Sequence, residues 1–108
     1  MIDTTDAAFE ADVLAAGVPV LVDFTAPWCR PCRAIEPLLL ELEREHDGRL
    51  RLVRLDIDAN VGVPARYGVL SLPTVMLFRG GEPVETLHGL QTRRRYAEAV
   101  HRVLDGAS

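Results

Sequence analysis

The stretch Val20-Leu21-Val22-Asp23-Phe24-Thr25-Ala26-Pro27-Trp28-Cys29-Arg30-Pro31-Cys32 decides how the rest of the chain is read. From Val18 to Phe24 it is apolar apart from Asp23, the pattern of a central strand covered on both faces. Pro19 fits only near the start of such a strand, where its missing N–H is tolerated. Ala26 to Cys32 forms the turn out of the strand. A helix follows to about His46, with Ile35, Leu38, Leu39 and Leu42 at helical spacing. Pro37 lies inside that helix and predicts a kink.

The two cysteines therefore stand where a strand ends and a helix begins. Alone, Cys-x-x-Cys is compatible with half a zinc site or part of a haem attachment site. Zinc normally takes four ligands, and the chain has no second cysteine pair, while His46, His88 and His101 show no ligand-like spacing. Haem attachment requires a histidine directly after the second cysteine, and Arg33 stands there instead. In this setting the redox reading dominates. Residues three apart in a first helical turn lie on one face, about 5–6 Å apart, inside the window for a disulfide. Cys29, at the helix N-terminus, gains thiolate stability from free N–H groups and the helix dipole. It is the expected nucleophile, and the deeper Cys32 the expected resolving thiol. Pro31 restricts the turn between them, in a first helical turn that tolerates proline.

Asp23 is the one charge in its strand. A carboxylate among apolar neighbours costs several kcal/mol of desolvation unless paired or protonated, and burial raises its pKa. It is a candidate proton donor or acceptor for a thiol behind the motif.

Working outward, Thr5 or Asp6 predicts the cap of a first helix running to about Ala16, with Phe9, Val13 and Leu14 on its apolar face and Gly17 ending it. Leu50 to Asp56 reads as a second central strand, and Val63 to Tyr67 as a short helix closed by Gly68. Leu72 to Phe78 is a further strand, starting at a proline. Arg79-Gly80-Gly81-Glu82 is a hairpin turn, since Gly-Gly supplies positive φ, and Val84 to Leu87 is the return strand. Thr92 caps a last helix to about Leu104, with Tyr96, Val100, Val103 and Leu104 facing the core. The run Arg93-Arg94-Arg95 reads as a solvated helix face. The order predicts an α/β domain with a parallel part and an antiparallel hairpin.

Composition bounds the partners. At 108 residues, 48% hydrophobic and 26% charged, the chain is expected to form one soluble domain, residues 1–108. A net charge of −4 argues against nucleic acid as the main partner. No run of about 18 apolar residues predicts a membrane span. The acidic, polar N-terminus lacks the layout of a signal peptide, so the expected compartment is the cytoplasm. With only two cysteines, both in one motif, the chain calls for thiol chemistry rather than disulfide stapling. All twelve basic residues are arginine, which excludes Schiff-base and lysine general-base mechanisms.

Beyond these local readings, Val20 to Cys32 resembles the active-site segment of the thioredoxin family. Tyr67-Gly68-Val69-Leu70-Ser71-Leu72-Pro73-Thr74 resembles its cis-proline segment, Phe78-Arg79-Gly80-Gly81-Glu82 its hairpin, and Gly89 its surface glycine. The likeness runs across nearly the whole chain. It implies the thioredoxin fold, a central mixed sheet of four or five strands flanked by helices. It implies a cis Pro73 packed against the disulfide, with the Leu72 backbone pairing to an extended substrate segment. Trp28, Arg30, Pro31, Leu72, Pro73, Gly89 and Leu90 would surround Cys29 as the substrate-binding surface. The implied activity is reduction of disulfide-containing protein substrates, with an NADPH-dependent, flavin-containing thioredoxin reductase as the recharging partner. The protein itself would be a monomer that needs no cofactor and no metal.

Three departures from the family pattern matter. Arg30 replaces the usual glycine, and a cation beside Cys29 should stabilise its thiolate and shift the pair to a potential somewhat less negative than the family reference of about −270 mV. Arg54 stands where a lysine is common; arginine does not release its proton, and its charge would oppose the effect of burial on Asp23. The N-terminal strand is cut to about Met1-Ile2-Asp3 and is expected to be short or missing. Two other functions fit the same residues: a more oxidising oxidase or isomerase, and a non-enzymatic folding helper that uses the apolar surface. Direction of electron flow separates the first, and retained function in a double Cys29→Ser, Cys32→Ser variant the second.

Overall fold

The computed structural model describes residues 1–106. Five strands form one mixed sheet: β1 (Ile2–Thr4), β2 (Val20–Thr25), β3 (Arg51–Asp56), β4 (Thr74–Arg79) and β5 (Glu82–His88), in the order β1-β3-β2-β4-β5. β1, β3 and β2 run parallel, and β4 is antiparallel to both β2 and β5. Helices α1 (Arg30–Glu45), α2 (Gly62–Arg66) and α3 (Arg93–Asp105) complete the elements, with a π-helical turn at Glu10–Leu14. The N-terminal strand does form. Its three residues pair with β3, Ile2 opposite Val53 and Thr4 opposite Leu55, which covers an edge of β3 that would otherwise be open.

The near-continuous apolar runs of β2 and β4 are explained by a core on each face of the sheet. On one face Leu21, Leu52, Val75 and Leu77 pack against Ile35, Leu39 and Leu42 of α1 and Tyr96, Ala99 and Val100 of α3. On the other, Val20, Val22, Phe24, Val53, Leu55, Met76 and Phe78 pack with Phe9, Val13 and Val63. An aromatic trio lies here, with Phe9–Phe78 centroids 5.6 Å apart and Tyr67–Phe78 centroids 5.1 Å apart, both edge-to-face.

The first helix differs from expectation. Thr5 caps the segment as expected, its hydroxyl accepting the Ala8 N–H at 3.0 Å, but in place of a regular helix to about Ala16 the helical element is the short π-helical one at Glu10–Leu14. Asp6 is spent elsewhere: its carboxylate accepts the N–H groups of Gly62 and Val63, both at 2.8 Å, and its own N–H donates to the Asn60 side chain at 2.9 Å. The residue that reads as the cap of its own helix instead holds the start of α2, 56 residues away. Phe9 and Val13 are buried as the apolar pattern requires.

Other boundaries move less. β4 begins at Thr74, after the proline. α1 continues through Pro37 to Glu45. At the hairpin Gly80 and Gly81 have φ of 61° and 82°, the mirror-image turn that suits twisted strands. A side chain at Gly81 would also press its Cβ to 3.1 Å from the Leu14 carbonyl oxygen. A register shift between Leu77 and Phe78 brings Pro83 opposite Phe78, on the outermost strand where a missing N–H does no harm. Arg93 is not simply solvated: it bridges to Glu41 at 2.8 Å and to Glu45, tying α3 to α1.

Candidate active site

The site is built where β2 gives way to α1. Cys29 caps the helix with extended backbone (φ −88°, ψ 104°), and its Sγ accepts the Cys32 N–H at 3.3 Å. Pro31 lies in the first turn, where no intrahelical N–H is lost. The two cysteines are joined as a disulfide with Cα atoms 5.3 Å apart. Cys29 is 4% exposed and Cys32 fully buried, so the nucleophile expected from sequence is the outer sulfur. Ala26 packs with the two cysteines, and Ile57 and Leu72 pack against this cluster from the loops after β3 and before β4.

Around the pair, Trp28 is 65% exposed and is held by its indole N–H, which donates to Asp58 at 2.9 Å. Arg30 and Pro31 are exposed. Arg33 turns back to the Pro27 carbonyl. The Leu72–Pro73 peptide bond is cis, and the Pro73 carbonyl accepts the Gly89 N–H at 2.8 Å. Gly89 has φ 73° with open space where a Cβ would stand. Its requirement for glycine is therefore one of backbone conformation, not of room. The Tyr96 hydroxyl donates to the Gly89 carbonyl at 3.3 Å and anchors that loop from α3. Leu70 and Leu90, 96% and 61% exposed, flank the same end of the sheet.

Asp23 lies in β2 opposite Arg54 of β3 and Val75 of β4. It is completely buried, and neither carboxyl oxygen has a hydrogen-bond partner. Burial above all, and then the Glu36 anion, push its pKa up to about 7 against the weaker opposing pull of Arg54. The expectation that Arg54 would oppose burial is right in direction, but the register does not become an ion pair. The Arg54 guanidinium is taken by Asp3 at 2.7 Å and Glu36 at 2.9 Å. The sequence reading missed Asp3, Glu36 and Asp58. Asp58 carried a signal in the Asp56-Ile57-Asp58 run at the end of β3; Glu36 carried one in its place on α1, four residues beyond Cys32.

Among the described residues no cluster of three or more histidine, cysteine or carboxylate side chains is placed to hold a metal. No described helix is long and apolar enough to cross a membrane.

The thioredoxin family model matches residues 1–102. The chain belongs to the thioredoxin family. It is 50% identical over 91 residues to a thioredoxin of Streptomyces clavuligerus, covering 84% of each chain. It is 44% identical to one of Pseudomonas aeruginosa, covering 90% of each. To a thioredoxin of Rickettsia felis it is 38% identical over 93% of this chain and 95% of the other. The mixed five-stranded sheet flanked by helices is the thioredoxin fold, and with a Cys-x-x-Cys pair at disulfide distance this thioredoxin-family protein is a dithiol–disulfide oxidoreductase, a protein-disulfide reductase. Its substrates are disulfides and its partner in the family cycle is a reductase.

Proposed function

We propose that the whole chain, residues 1–108, acts as a single monomeric domain in the cytoplasm, reducing protein disulfides with Cys29 as nucleophile and Cys32 as resolving thiol. The observation that carries the roles is their difference in access: Cys29 at the surface end of the helix, Cys32 sealed beneath it. The Cys29 thiolate attacks one sulfur of the substrate disulfide, forms a mixed disulfide and releases the other sulfur as a thiolate. Cys32 passes its proton to Asp23 and attacks the Cys29 sulfur. The Cys29–Cys32 disulfide forms, the second substrate sulfur leaves as a thiolate, and two electrons have moved to the substrate. An NADPH-dependent, flavin-containing thioredoxin reductase returns them. The protein carries no cofactor or metal of its own.

Trp28, Arg30, Pro31, Leu72, Pro73 and Gly89 bind the substrate segment, with the Leu72 backbone adding it as an extended strand. This is supported by the exposure of Trp28 and Arg30 beside Cys29 and by the packing of Leu72 against the cysteine cluster. The roles are tested by trapping. Cys32→Ser should accumulate a mixed disulfide between Cys29 and a substrate protein, detected by mass spectrometry. Cys29→Ser should form none. A mixed disulfide formed through Cys32 would reverse the assignment.

A further inference from the structure

The Asp3–Arg54–Glu36 cluster raises a question that the thiol chemistry leaves open. Arg54 is the residue directly opposite Asp23 across β2 and β3, and Asp23 has two buried, unpartnered carboxyl oxygens. An arginine fork beside an unpaired buried carboxylate is a strong attraction, yet the pair does not form. All of the bonds that the guanidinium makes among the described residues go outward: Nε and Nη2 donate to the Asp3 carboxylate at 2.7 and 3.1 Å, and Nη1 donates to Glu36 at 2.9 Å. Two carboxylates, one from β1 and one from α1, outbid Asp23. Their effect on Arg54 and Asp3 is mutual, the arginine held more firmly protonated and the Asp3 carboxyl lowered. A cavity of about 470 Å³ lies against this cluster, with Asp3, Glu36, Arg54, Thr25, Ala26 and Arg33 on its wall. The cluster thus borders open space, while Asp23 is buried and is not on that wall.

We propose that Glu36 is a positioning residue for the proton relay: with Asp3 it holds the Arg54 guanidinium away from Asp23, which leaves the buried carboxyl free to take and return the Cys32 proton. The inference rests on the relay reading of Asp23 given above. The charged and titratable groups around Asp23 are Arg54 from β3, Glu36 from α1 and Tyr96 from α3. Tyr96 is occupied with the Gly89 carbonyl and the Gln91 N–H. Removing the Glu36 charge leaves Arg54 with one carboxylate fewer and removes an anion that disfavours ionised Asp23. Both changes act in the same direction, toward an Asp23 that ionises at lower pH.

The test is the pH profile of mixed-disulfide resolution by Cys32, measured by rapid mixing on the full chain, together with direct titration of the Asp23 side-chain carboxyl carbon by NMR. For Glu36→Gln the Asp23 midpoint should fall from about 7 toward the ordinary carboxylate range, and the resolution profile should follow it. Asp3→Asn should move the midpoint the same way by a smaller amount. Arg54→Gln should move it up, and Glu36→Asp should restore the parent profile. Opposite shifts from Glu36 and Arg54 variants are not produced by general loosening of the fold. An Asp23 midpoint that stays in place in both Glu36→Gln and Asp3→Asn would overturn the proposal while leaving the relay intact. A resolution profile unaltered by Asp23→Asn would instead remove the relay, and this proposal with it.

Discussion

Asp23 is a carboxyl held in the core at an electrostatic cost. Its ordinary carboxyl value is 3.8, and in the folded protein it is raised to about 7. Below about pH 4 it is neutral both folded and unfolded, and its ionisation adds no penalty. Between about pH 4 and 7 the unfolded chain ionises while the folded one holds its proton, so the folded state loses stability as pH rises; above 7 the full penalty is present. Asp23→Asn should accordingly stabilise the protein by a few kcal/mol at pH 8 and by little at pH 4, which denaturant unfolding at the two pH values will show. Arg30 acts on the other side of the site. As an exposed cation beside Cys29 it should favour the thiolate and hence the reduced pair. Arg30→Gly should make the potential more negative, by a modest amount because the charge is screened. Equilibration with glutathione buffers measures it, and an unchanged or less negative value would remove Arg30 from the poise. Arg30 was legible in the sequence because it sits inside the motif. Glu36 was legible only as a charge one turn beyond Cys32 and Asp3 not at all, since the role of both depends on where the Arg54 side chain turns.

At the scale of elements, periodicity located the strands and the long helices because each of them has a face or a pair of faces to bury. Leu21, Leu39, Leu52, Leu77 and Val100 all lie in the core, where the apolar pattern placed them. The first helix failed for a physical reason. Thr5 does cap the local turn, its hydroxyl accepting the Ala8 N–H at 3.0 Å, but the Asp6 carboxylate found long-range partners in Gly62 and Val63. A cap used across the fold leaves no trace in local sequence. Asp6→Ala should therefore loosen α2 and the loop after β3, costing about 1–2 kcal/mol. Hydrogen exchange should show the loss of protection at Gly62 and Val63 rather than at residues 8 to 14. The second core can be probed in the same way: Phe78→Ala, which removes the shared partner of Phe9 and Tyr67, should cost about 3–5 kcal/mol in denaturant unfolding.

For the molecule as a whole, the sheet order puts the chemistry at one end. β2, at the centre, delivers the cysteines; the loop after β3 brings Ile57 and Asp58, the segment before β4 brings Leu72 and Pro73, and the loop after β5 brings Gly89. Four separate stretches of sequence meet around one disulfide, which is why the spacing Cys-x-x-Cys says little and its context says much. This assembly passes electrons from a reductase to protein disulfides through Cys29 and Cys32. The most direct measurement is NADPH consumption with a thioredoxin reductase and insulin as the disulfide substrate. Turnover should depend on this protein and be lost in both Cys29→Ser and Cys32→Ser; no turnover by the parent, or turnover that survives the loss of Cys29, would contradict electron transfer through this pair.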